Sequence, residues 1–532
     1  MNALSVRSEG IGAGTGVLFK QRVANKNFAV AKTAKPLVVI KLNSMPGEGS
    51  WAKSRGKHRL AFAGIYLFTL LMYSRPHEIM PGLFGWLPLP KIVAISSILI
   101  YIAAKIRAGE ALIVWTLELK MLALLWALGL LFAPVSASPG DSFNVLFDPL
   151  IKILTVFAMQ ITLIDTRPRF RAMIGIMVFC QALYSLNSIR IFLTGGYSGT
   201  GTFQTRISGW GSSLGNPNDV ACVLALMTPL SVICALSQRG WKRWLYFACA
   251  GVTAVAIMFT FSRAGFLALI ASCGLIIWKA TRGHRVKMLP LVAGLAVILI
   301  VAAPGDYMAR LSTILNPRSD TTNSAQERQE HMLRAAELAI RRPIVGVGMG
   351  NFHIYAIHEM RAHNSYLEIA AELGIIGLIA FLVIVFAPLR SLRRIERETA
   401  AGGPRPDPGK HMVSVCLQAS FVAFIIYGFF GSVQYDSYLY TLVAFAVALR
   451  RIHAAEIYSA AGAGCGAESP GSNVLVLQPR GSLWRSPGFW ECRLKRKIAA
   501  GVLFKSVNRE MAALRAGGAP GIRRRRQQPG TS

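Results

Sequence analysis

In residues 363–386, which read HNSYLEIAAELGIIGLIAFLVIVF, a His-Asn pair stands at the mouth of a long apolar run that carries two carboxylates, Glu368 and Glu372. Ionisable side chains at membrane depth are costly, and they are retained where they face a protein interior or a watery cavity and do chemistry or hold a ligand. His363 has the chemistry of a general base, since imidazole titrates near neutrality and can take a proton from an attacking hydroxyl. The plain alternative is a histidine at a helix start that only bonds backbone. Glu368 and Glu372 lie four apart and so on one helix face, where they either join the catalytic group by orienting His or Arg side chains, or form a buried ion pair.

Four arginines extend the set: Arg206 in a Gly-rich loop, Arg263 in the short turn Ser262-Arg263-Ala264-Gly265 between two apolar runs, and Arg328 and Arg361 in the largest loop. Guanidinium groups bind phosphate oxygens bidentately and stay charged at any relevant pH, so several that converge would hold a diphosphate without a metal. Each alone also reads as a surface ion pair or as a side chain snorkelling to the interface. Asn364 completes the candidate substrate contacts beside His363. Asn216 and Asn218, with Asp219, precede another apolar run, where they either cap a helix or touch a sugar. His331, His353 and His358 show no partner pattern and read as surface residues.

The elements that must position these residues are membrane helices. With 53% of its 532 residues hydrophobic and only 16% charged, the chain has the composition of an all-α polytopic membrane protein. About twelve runs approach spanning length: 60–73, 92–104, 119–135, 149–164, 172–193, 220–236, 245–261, 265–278, 288–303, 366–389, 412–430 and 439–449. The net charge of +33 lies in the tails and in alternate loops, for example Arg167, Arg169 and Arg171, then Arg239, Lys242 and Arg243, then Arg390, Arg393, Arg394 and Arg397. That distribution is the positive-inside pattern rather than a nucleic-acid surface, and it predicts both termini in the cytoplasm.

The predicted organisation is a basic, disordered tail over 1–59, nine spans over 60–303, a large helical extracytoplasmic loop over 304–362, three spans over 363–450, and a second basic tail over 451–532. The first apolar run begins too far in for a cleavable signal peptide and is expected to act as an uncleaved anchor. In the loop, Ser324 with Glu327 forms a capping box that opens a helix, Pro343 stops it, and Gly346, Gly348 and Gly350 turn the chain. No strand precedes these glycines, so they are not a dinucleotide fingerprint. The eight cysteines lack metal-ligand spacing, and neither a metal, a disulfide nor a cofactor is expected.

Five segments in order resemble the O-antigen ligase family of bacterial membrane glycosyltransferases: GNPNDVA from Gly215, TFSRAG from Thr260, the Arg328 helix, RPIVGVGMGNF from Arg342, and HNSYLE with AELG from His363. Met332 departs from the family pattern, which has Trp there. The stretch Ser74-Arg75-Pro76-His77-Glu78 resembles the exosortase-associated O-glycosylation ligase subgroup. The resemblance implies an inverting, metal-independent transfer of a glycan from undecaprenyl diphosphate to an acceptor hydroxyl on lipid A core, a growing glycan or a protein. It places that reaction at the periplasmic face of the bacterial inner membrane, with His363 as base and Arg206, Arg263, Arg328 and Arg361 on the diphosphate. Polysaccharide polymerase and protein O-oligosaccharyltransferase activities belong to the same family. A lipid-linked glycan flippase or transporter, or a non-catalytic scaffold, are readings from other classes. Membrane lipids are expected partners and nucleic acid is not.

Overall fold

The long apolar runs start where a side chain or a proline shapes the first helical turn, which satisfies or removes otherwise orphaned N–H groups. Thr116 accepts the Leu119 N–H at 3.3 Å, Asn216 precedes Pro217 and accepts the Asn218 N–H at 2.9 Å, and Asp407 precedes Pro408 and accepts the Lys410 N–H at 3.0 Å. The structure is a computed structural model and describes residues 56–76, 82, 88–194, 216–280 and 324–464. Among these residues it contains helices and no strand.

The helices are α1 (Arg59–Ser74), α2 (Leu89–Arg107), α3 (Leu117–Phe132), α4 (Pro139–Leu163), α5 (Arg167–Leu193), α6 (Pro217–Ser237), α7 (Trp241–Phe259), α8 (Arg263–Ala280), α9 (Ser324–Arg341), the single turn α10 (Phe352–Tyr355), α11 (Ser365–Thr399), α12 (Pro408–Tyr427) and α13 (Ser437–Gly464). Helix α4 contains a π turn at Leu146–Leu150 around Pro149, which cannot donate into the regular ladder.

Nine of the described helices, α2 to α8 with α11 and α12, are long and apolar enough to cross a membrane, and α1 is a shorter apolar helix. The expected run at 288–303 lies outside the described residues, as do residues 1–55 and 465–532 of the two tails. The last run does not end near 450. It continues to Gly464, because its charged half is tied into the bundle: Arg450 grips buried Glu118 through two bonds of 2.7 and 2.9 Å, and Glu456 pairs with Arg167 and Lys410 at 2.6 Å each.

Helix α6 is the centre of the bundle, with 78% of its apolar window buried against 17% for α2 and 22% for α7. The outer faces of the peripheral helices carry Ile95, Leu99, Trp241 and Trp244 in the open, as expected where lipid rather than protein is the neighbour.

Helix α11 is broken at Gly374 (φ 65, ψ −166). A break frees backbone groups that must find partners inside a membrane, and the segment after α9 supplies them. The N–H groups of Val347 and Gly348 donate to the carbonyls of Ala371 and Glu372 at 2.9 and 3.0 Å, and the Ile375 N–H donates to the Pro343 carbonyl at 2.8 Å. Gly346, Gly348 and Gly350 all have positive φ. A Cβ at Gly346 would collide with the Glu372 carbonyl, and one at Gly348 with Ser136, so both positions need glycine twice over. Asn351 locks the far side, accepting the Ser138 N–H at 2.8 Å and donating to Ser142 Oγ at 2.6 Å.

Candidate active site

Six elements converge at one end of the bundle. The Ser365 N–H at the start of α11 donates to the Gly428 carbonyl past the end of α12 at 2.8 Å, and Tyr427 Oη donates to the Asn218 carbonyl in the first turn of α6 at 2.8 Å. The start of α8 seats against the same turn of α6, since a Cβ on Gly265 would lie 2.5 Å from that of Ala221. Tyr73, at the end of α1, has its hydroxyl 2.7 Å from that of Thr441 near the start of α13. Arg263 is therefore brought to the same end as His363. Arg206 lies outside the described residues.

His363 is half-buried and sits at φ 53, immediately before the Asn364 cap. Burial pushes its pKa down to about 4, and the charges of Arg328, His331 and Arg361 add to the effect. The imidazole is thus neutral at physiological pH, with its proton-accepting nitrogen available. Asn364 is not free to bind a substrate through its carbonyl. Its Oδ1 accepts the Tyr366 and Leu367 N–H groups at 3.0 Å each, and the side chain is buried. Asn216 is likewise a cap, as its place before Pro217 allowed. Asn218 contributes its carbonyl to Tyr427.

Glu368 and Glu372 are both buried, and each is held by neutral donors. Glu368 takes the Ala362 N–H at 3.0 Å, Gln434 Nε2 at 2.7 Å and the Ser432 hydroxyl. Glu372 takes Tyr435 Oη at 2.7 Å. The pair accordingly ties the residue before His363 and the start of α11 to the 428–436 connection. Arg361 is exposed and donates to the Ser432 carbonyl at 2.8 Å. Arg328 is half-buried on α9, on the same helical face as His331.

The expectation that His331 is a surface residue is wrong. It is 4% exposed, its Nδ1 has no partner, and its ring centroid lies 6.2 Å from that of His363. Its spacing of three from Arg328 and four from Ala335 was the available signal, because those positions share a helix face. His353 is half-buried, with Nδ1 2.9 Å from the Gly350 carbonyl, while His358 is exposed.

The 428–436 connection and Arg75 were not among the expected site residues. Burial pushes the Asp436 carboxyl up to about 6; Asp219 adds to this, while Arg75 and Arg361 oppose it. Asp219, Arg75 and Arg361 thus act on Asp436 from the first turn of α6, the end of α1 and the loop before α11. Among the described residues no group of three His, Cys, Asp or Glu side chains could hold a metal ion.

Residues 245–382 match the family model of the O-antigen ligases. The match spans Arg263, Arg328, Arg361, His363, Glu368 and Glu372, and leaves out the start of α6 and the 428–436 connection. No match to a curated protein is found.

Proposed function

We propose that this chain, a multi-pass membrane protein with an O-antigen ligase domain, transfers a glycan from undecaprenyl diphosphate to an acceptor hydroxyl at the periplasmic side of the inner membrane. The observation that carries the proposal is a half-buried His363, its ring centroid 6.2 Å from that of buried His331 and within the influence of the cations Arg328 and Arg361. Burial and the two cations keep the imidazole unprotonated but weakly basic, and the donor diphosphate, once bound on the cations, restores basicity by offsetting their charge. The cations attract the donor diphosphate and stop the imidazole from being protonated before the acceptor arrives.

In the reaction, the acceptor oxygen attacks the anomeric carbon as its proton passes to His363. The bond from that carbon to the diphosphate oxygen breaks on the opposite face, inverting the centre. The lipid diphosphate departs with its charge matched by Arg263, Arg328 and Arg361, fixed donors of the kind that stabilise developing charge most effectively. Lipid A core, a growing glycan and a protein hydroxyl would all serve as acceptor in this scheme.

A transporter reading would draw on the broken helix α11, since discontinuous helices line substrate sites in transporters. Here the freed groups flanking Gly374 are paired with Pro343, Val347 and Gly348, which leaves less for an ion or substrate. The deciding experiment incubates the purified protein with undecaprenyl-diphosphate-linked glycan and candidate acceptors. Release of undecaprenyl diphosphate together with glycan on the acceptor is expected, and both should vanish in His363→Ala. Lipid flipping without transfer, or transfer undiminished in that variant, would remove the proposal.

A further inference from the structure

At the end of the bundle opposite His363 lies a cavity of about 120 Å³ between α5, α6, α7, α12 and α13. The separation is large. Lys410 on its rim and Tyr427 beside the candidate active site are at opposite ends of α12, about 25 Å apart at 1.5 Å per residue.

Its lining divides by chemistry. Phe170, Ile174, Ile233, Val413, Leu449 and Ile452 make apolar walls, while the charged residues among those lining it are Arg167, Arg171 and Lys410, all cations. Arg167, Phe170, Arg171 and Ile174 recur at helical spacing and so present one face of α5 to the cavity. Two of the cations are pre-set from behind. Asp407 and Glu456, which do not line the cavity, hold Arg167 at 2.9 and 2.6 Å and Lys410 at 3.4 and 2.6 Å. Arg171 is exposed and brings positive charge that those two carboxylates do not offset. Topology alone explains basic residues at this end of the bundle. It does not explain why three of them rim an apolar cavity, nor why Gly175 leaves its wall open, with nothing within 4 Å of where a Cβ would stand.

We propose that this cavity binds one anionic diacyl phospholipid from the adjacent leaflet, its phosphate on Arg171, Arg167 and Lys410 and the start of an acyl chain over the Ile174 and Ile233 wall. A soluble anion would use the cations but leave the apolar wall unpaired. A zwitterionic lipid would use the wall but carry an ammonium group toward the cations. The anionic lipid satisfies both, and basic residues at a membrane surface favour such headgroups.

The test is native mass spectrometry of the full-length protein released from bilayers of equimolar phosphatidylglycerol and phosphatidylethanolamine. The expected result is selective retention of phosphatidylglycerol, reduced about fivefold in Arg171→Gln, the worth of one basic residue at a membrane surface, and lost in Gly175→Phe, whose ring fills the cavity. Arg171 is exposed, so its variant keeps the test decisive even if Gly175→Phe fails to insert. Equal retention of both lipids by the wild type, retention unchanged in Arg171→Gln, or displacement of the lipid by sn-glycerol 3-phosphate would each overturn the proposal.

Discussion

Arg361 and Glu368 meet on one residue: the guanidinium donates to the Ser432 carbonyl at 2.8 Å, and the carboxylate accepts the Ser432 hydroxyl. The loop before α11 and the loop before α13 are thereby clamped together on either side of His363. Glu368→Gln keeps the shape but turns one acceptor oxygen into a donor facing Ser432, Gln434 or the Ala362 N–H. Transfer should fall roughly 10- to 100-fold in kcat with little change in KM, as when a reacting group is displaced by about 1 Å, while membrane yield stays normal. Steady-state kinetics with the lipid-linked donor would measure this, and an unchanged kcat would detach Glu368 from the positioning of His363.

The depressed pKa of His363 predicts a pH profile. Because its folded value is about 4, against about 6.5 for free histidine, the base is already deprotonated well below neutrality. The acid limb of kcat/KM should therefore appear near pH 4 to 5, with rates flat from there to pH 7. A limb centred near pH 6.5 would mean that His363 is not the titrating base, or that the surrounding cations do not act on it.

Arginine geometry separates a diphosphate clamp from ordinary topology. Arg263→Lys preserves charge and loses the planar fork, which bidentate sites do not accept as equivalent. Transfer should drop by an order of magnitude or more while insertion is unaffected. Arg394→Lys is the control, because Arg394 pairs with Glu398 one turn along its own helix, at 2.7 Å, and should leave transfer unaltered. Equal behaviour of the two variants would reduce Arg263 to a packing residue.

The backbone splice at Gly374 predicts a stability contrast. Gly346→Ala forces a Cβ into the Glu372 carbonyl at φ 72, so the cost should exceed the ~1–3 kcal/mol of backbone strain alone and lower the thermal midpoint of the detergent-solubilised protein by several degrees. Gly140→Ala, with open space around its Cβ, should change the midpoint little. Comparable midpoints would show that the loop is not seated on α11.

Helix placement was legible because apolar runs and their caps are local properties. The runs that became α5 to α8, and the loop helix from Ser324 to its stop before Pro343, follow from residues within a few positions of one another. His363 and the arginines were legible as chemistry. Their supports were not. Ser432 and Gln434 reach Glu368 across more than sixty residues, Arg75 acts on Asp436 from the far end of the chain, and nothing local marks either. The break at Gly374 was hidden for a related reason: residues 366–389 read as one apolar run, and only the arrival of Val347 and Gly348 makes an interruption affordable there.

That dependence sets an order of assembly. The first segment of α11 cannot rest in lipid with the Ala371 and Glu372 carbonyls bare, yet their partners precede it in the chain and are synthesised before it emerges. The Pro343–Gly350 strap is therefore already made when α11 arrives, and the helix can complete its pairing only where the strap reaches the same end of the bundle. A chain whose strap is missing or displaced would leave those carbonyls without partners in the first segment of α11, the one that carries Glu368 and Glu372.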